Sequence, residues 1–170
     1  MNKVTSAIRT GETDQLTPIF TPSNATIKSL VWESSEPTIA SVSRYGLVTG
    51  LANGTAIITA TSVDGNFPAQ CSYTVTTAVQ SVSLNKSSST GAPGGSETLV
   101  ATVLPYTASN KNVVWSSTND TIVTVTQGGV VTFVGEGSAS VVATSVDDPT
   151  KSAQCTYTIS IPIVPVTNVS

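Results

Sequence analysis

The stretch "TPSNATIKSLVWESSEPTIASV" (Thr21–Val42) returns as "LPYTASNKNVVWSSTNDTIVTV" (Leu104–Val125). Pro22 matches Pro105, Lys28 matches Lys111, Trp32 matches Trp115 and Ile39 matches Ile122, each pair 83 residues apart. The agreement runs on through Gly46 and Gly129, Gly54 and Gly137, and "SVD" at Ser62–Asp64 and Ser145–Asp147. After one inserted residue, "AQCSYTV" (Ala69–Val75) matches "AQCTYTI" (Ala153–Ile159). A repeat this long and nearly gapless means two copies of one domain. The expected boundaries are 1–77 for the first copy, 78–161 for the second and 162–170 for a tail.

Within each copy the hydrophobic period is 2. "TAIITAT" sets Ala56, Ile58 and Ala60 against threonines and Ile57, and "SASVVAT" (Ser138–Thr144) does the same. Such alternation is a strand with one face in a core. Asn53-Gly54, Asp64-Gly65 and Gly128-Gly129 are turn signals between strands. Roughly seven short strands per copy, punctuated every ~8–12 residues, predict a β-sandwich.

Composition agrees with an all-β fold. Of 170 residues, 39% are hydrophobic and only 10% charged, against roughly 25% in an average domain. Ser, Thr, Asn and Gly must therefore cover the surface, while β-branched residues suit a pleated sheet. Net charge is −3 with seven basic residues spread along the chain, which argues against nucleic-acid binding. No apolar run approaches the ~20 residues that span a bilayer. Histidine is absent, and with it the commonest general base and metal ligand. No nucleophile motif or carboxylate constellation stands out, so no catalytic residue, cofactor or metal is expected.

As a set, several motifs point to one family. They are "SVSLNKSS" from Ser81, the "K-x-V-x-W-S-S" pattern around Trp115, and "PTIASVSRYGLVTGLANGTAIITAT" from Pro37. The closing "C-x-Y-T-V" completes them. Each copy resembles a bacterial immunoglobulin-like group 2 domain. The resemblance implies tandem Ig-like sandwiches and a scaffold or spacer role without a shared catalytic site. It also implies the settings where such domains are common, namely bacterial surface proteins and the virions of tailed phages. A fold of this kind does not dictate function.

Trp32 and Trp115 occupy equivalent strand positions and are expected to be core anchors rather than sugar-stacking platforms. Cys71 and Cys155 fall one to a copy, so neither can form a bridge inside its domain; each is expected to be a small buried residue. Asp64, Asp147 and Asp148 sit at turns, which explains them better than the six to eight oxygen ligands that calcium needs.

The phase of the repeat is unusual. Met1-Asn2-Lys3 aligns with Leu84-Asn85-Lys86, so the first copy lacks the strand that "VQSVS" (Val79–Ser83) supplies to the second. The tail ends in a similar stretch, Val166-Thr167-Asn168-Val169-Ser170. An unpaired sheet edge templates pairing with another chain, and a spare strand is the material of β-augmentation. The tail is therefore expected to add a strand to a neighbour, either the first domain of another copy or an edge on a different protein. Two other readings stand beside it: a fragment cut from a longer array, or Val4–Arg9 filling the edge.

Protein partners are thus expected, either copies of this chain or virion proteins. Met1 and the lack of an export signal favour a tailed-phage virion component, such as a head decoration, head fibre or tail accessory protein, assembled in the host cytoplasm. The alternative is a piece of a bacterial surface protein or adhesin. Carbohydrate binding at a host surface fits either class, though no aromatic cluster argues for it.

Overall fold

The computed structural model describes residues 1–162 and Pro165. Among these there is no helix, and contacts divide the chain into one unit from Met1 to Ala78 and another starting at Val79.

Unit 1 holds seven strands: β1 (Thr5–Arg9), β2 (Thr13–Gln15), β3 (Leu30–Ser34), β4 (Ala40–Val42), β5 (Leu47–Gly50), β6 (Gly54–Ser62) and β7 (Pro68–Thr76). One sheet has the order β1-β7-β6-β3 and the other β2-β5-β4. Ile8, Val48, Ile58, Cys71, Tyr73 and Val75 point inward and form the core between them. The period-2 reading is visible in β6, where Ala56, Ile58 and Ala60 are buried and Thr55 and Ile57 exposed.

Unit 2 repeats this plan with nine strands: β8 (Ser81–Leu84), β9 (Ser88–Gly91), β10 (Ser96–Thr98), β11 (Ala101–Leu104), β12 (Val113–Ser117), β13 (Val123–Val125), β14 (Val130–Phe133), β15 (Gly137–Ser145) and β16 (Ser152–Ile159). The sheet β12-β15-β16-β9 matches that of β3, β6, β7 and β1, and β10-β14-β13 matches β2, β5 and β4. The additional pair is β8 with β11, antiparallel. Unit 2 therefore exceeds the expected seven strands, because β8 brings its partner β11 with it.

The repeat accounts for where β1 belongs. It pairs in parallel with β7, Thr5 opposite Ser72 and Arg9 opposite Thr76, as β9 pairs with β16. This corrects the reading in which Val4–Arg9 fills the open edge. Those residues already have a place on the other flank of the sandwich, and the counterparts of β8 and β11 are both missing from unit 1. Residues 18–21, aligned with β11, form no strand.

Candidate interaction site

The difference between the units is one local structure, and its cause is strand pairing. In unit 2, β8 lies on β11 with Leu84 opposite Ala101, Val82 opposite Val103 and Ser81 opposite Leu104. Val79 and Val82 face inward, 3% and 9% exposed, while Gln80, Ser81 and Ser83 face solvent. Burying a valine side chain stabilises by about 1.5–3 kcal/mol, so β8 seals this side of the core. Its start is anchored where the Val79 N–H donates to Asp147 Oδ2 at 3.0 Å.

Unit 1 has an open groove in the same place, about 390 Å³ in volume. Its walls include Ile19, Phe20, Leu30, Ala60 and Phe67, with Asp64 at the rim. Phe20, half-buried, stands where Val103 is buried, and Ala25 is more exposed than its counterpart Ala108. Ile19 and Phe67 are 68% and 75% exposed. Apolar side chains gathered around a concavity mark an interaction surface. Among the described residues, none of the backbone groups of 18–21 bonds to another backbone group. Backbone groups left without a ladder beside a groove are an open template.

The start of the chain is held at the groove's edge. The Asn2 N–H donates to Thr17 O at 2.9 Å, and the Thr17 N–H donates to Asn2 Oδ1 at 2.9 Å. Asn85 and Val100 make the same two bonds in unit 2. Next along, Lys3 pairs with Asp14, which also accepts from Ser6 Oγ at 2.9 Å and from the Tyr73 hydroxyl at 2.8 Å. Burial alone would raise the Asp14 carboxyl, but bonds from Lys3, Tyr73 and Ser6 outweigh it and hold the group below its ordinary 3.8. Burial and the bonded carboxylate push the Tyr73 phenol well above its ordinary range. Unit 2 rebuilds the cluster with Lys86, Glu97, Ser89 and Tyr157, and there Tyr157 donates to Glu97 Oε1 at 2.7 Å. The network ties the strand bearing the tyrosine to the opposite sheet and fixes the residues next to the groove.

The residues singled out from the sequence fall in different places. Cys71 and Cys155 are free and fully buried, and burial pushes both thiols up, which makes them unreactive. Trp115 is 6% exposed and part of its core, whereas Trp32 packs against its core from a half-buried position. Val166, Thr167, Asn168, Val169 and Ser170 lie outside the described residues. Among the described residues no three His, Cys, Asp or Glu side chains gather to hold a metal. Sequence reasoning missed the groove itself: it singles out neither residues 18–21 nor Phe67, and it reads Asp64 only as a turn residue. The available signal was the alignment of "PIFT" (residues 18–21) with β11, a strand whose partner has no counterpart in unit 1.

The two sandwiches, each with its core between two sheets, define an immunoglobulin-like structural protein. Residues 2–73 and 78–157 match the bacterial Ig-like domain (group 2) family, and the chain belongs to it. An uncharacterised protein of Clostridium acetobutylicum is 32% identical over 156 residues, 91% of this chain and 16% of that protein. The "Ig-like virion protein" of Serratia phage KSP90 is 36% identical over 146 residues, 82% of this chain and 55% of that protein. The chain thus spans only part of the length of these relatives. Domains 1–6 of the surface layer protein SbsC align over 86% of this chain and 22% of theirs, with a TM-score of 0.45 and 21% identity.

Proposed function

We propose that this chain is a non-enzymatic structural component of a tailed-phage virion: a head decoration, head fibre or tail accessory protein. The observation that carries this reading is the 36% identity to the phage virion protein across 146 residues, a span longer than either unit. The physical character of the chain suits the role. Each sandwich presents a weakly charged, hydroxyl-rich surface to other proteins, and the seven basic residues spread along the chain offer nucleic acid no cluster. The partners are other virion proteins or further copies of the chain, and the place of action is the particle.

A second reading has the clostridial match in its favour, since there the sequence occupies 16% of a much longer bacterial protein. In that reading the units are spacers of a cell-surface protein. Antibodies raised against this chain separate the two. Gold label on particles purified by density gradient, together with the chain's peptides in the particle's mass spectrum, is the expected result. Label confined to the bacterial envelope would overturn the virion reading.

A further inference from the structure

We propose that the groove of unit 1 accepts, as an added β-strand, the Val166–Ser170 segment of a second copy of this chain. The inference is independent of whether the assembled object is a virion.

The register comes from unit 2. β8 runs antiparallel to β11, and a shift of 83 residues places Met1 opposite residue 18. The next three positions, opposite residues 19, 20 and 21, have no partner within unit 1. The ladder has already begun, because Asn2 clasps Thr17 as Asn85 clasps Val100. Antiparallel pairs alternate between hydrogen-bonded and non-hydrogen-bonded. Asn2–Thr17 is the bonded kind, so Pro18 occupies a non-bonded position and its missing N–H costs the ladder nothing. Ile19 and Thr21 fall on bonded positions and turn their N–H and C=O towards the incoming strand.

The occupant is identified by pattern. Val166-Thr167-Asn168-Val169-Ser170 repeats the Val-x-x-Val-Ser of Val79–Ser83. In β8 and its lead-in the two valines enter the core and the polar residues face out. Laid in the groove of unit 1, Val169 stands opposite Phe20 and Val166 reaches the rim at Asp64. Asp64 aligns with Asp147, whose carboxylate accepts the Val79 N–H, so it is placed to accept the Val166 N–H.

The seven residues from Ile159 to Val166 reach at most about 25 Å, less than the roughly 30 Å that the nine residues of β7 alone put between the Asp64 rim and Thr76. A segment on so short a tether is delivered by a second copy, which approaches the groove freely. Donor and acceptor surfaces differ, so the contact is heterologous and builds a ring or a filament.

Cysteine cross-linking of the 170-residue chain tests this. Phe20→Cys in one chain and Val169→Cys in another face each other as a non-bonded pair, where Cα atoms are about 4.5 Å apart and a disulfide can close. Asn168→Cys, one residue out of register, points to the other face. The expected result is a mixed disulfide dimer, at least about tenfold more abundant for Phe20/Val169 than for Phe20/Asn168. Equal yields, or none, would overturn the proposal. A chain carrying both Phe20→Cys and Val169→Cys should give a ladder of multimers. A cross-linked monomer would put the segment in its own groove and defeat exchange between copies. Light scattering supplies a second readout. Val169→Asp should return the assembled wild type to monomer mass with an unchanged circular dichroism spectrum, and an unchanged mass would also overturn the proposal.

Discussion

The backbone N–H of Val79 donates a 3.0 Å hydrogen bond to the Asp147 carboxylate, which fastens the lead-in of β8 to the loop between β15 and β16. A hydrogen bond to a charged acceptor contributes about 1.5–3 kcal/mol. Asp147→Ala should therefore destabilise unit 2 by roughly 1–2 kcal/mol, the lower range reflecting its partial exposure. Each unit contains a single tryptophan, so urea unfolding followed by Trp115 fluorescence in a Trp32→Phe background reports unit 2 alone. In a chain that also carries Val169→Asp, and so receives no donated strand, Asp64→Ala should leave unit 1 unchanged in the same assay with Trp115→Phe, because unit 1 itself contains no strand for Asp64 to hold.

Unit 2 buries Val79, Val82 and Val103 where β8 and its lead-in lie along β11, and unit 1 leaves the matching side open. Val82→Ala removes two buried methyl groups and should cost unit 2 about 2 kcal/mol. For the same reason unit 1 should unfold at lower urea than unit 2 in a chain carrying Val169→Asp. Separate Trp32 and Trp115 transitions, Trp32 first, are the expected observation.

Tyr73 and Tyr157 bury their rings completely and end on a carboxylate. Tyr73→Phe keeps the ring and removes the donor, leaving Asp14 with one bond fewer. A loss of about 1–2 kcal/mol in unit 1 is expected, read as a shift of the Trp32 transition with the Trp115 transition fixed.

The same pairs set the pH window. Asp14 and Glu97 are held below their ordinary 3.8 and 4.5, so the folded state binds fewer protons than the unfolded chain in that range. Their stabilisation is complete above the unfolded values and is lost as pH falls through the folded ones. The tyrosines are shifted the other way: their raised folded values give stability that is complete below about pH 10 and declines above it. Melting temperature should accordingly hold a plateau at neutral pH and fall at both ends. In the double variant Asp14→Asn, Glu97→Gln the acid decline should be shallower.

Gly46 turns the chain between β4 and β5 at φ +79°, and a Cβ there would stand 2.7 Å from Trp32 Cζ2 and 2.9 Å from Leu16 O. An alanine meets both a left-handed backbone and a carbonyl that cannot withdraw. Gly46→Ala should destabilise unit 1 by about 2–4 kcal/mol, measurable as a lowered urea midpoint of Trp32 fluorescence.

Much of this was legible in the residues. The 83-residue repeat, the alternation in "TAIITAT" and the turn glycines specify two sandwiches, because period-2 burial and positive φ are local demands that particular residues meet. The alignment of Met1-Asn2-Lys3 with Leu84-Asn85-Lys86 likewise showed that residues 1–78 hold no counterpart of Val79–Ser83. Residues 18–21 could not be read this way. As a string, "PIFT" is no less strand-like than "ATVL" of β11.

The residues alone specify two repeats of one sandwich fold and show that residues 1–78 hold no counterpart of β8. The consequence for the groove is visible in the folded chain. A strand is stabilised by the ladder it shares, so when the counterpart of β8 is missing, the segment that would pair with it is not a strand either. The surrounding side chains do not close the gap, because β3, β6 and β7 are already fixed by their own pairing, and a groove with a defined register remains.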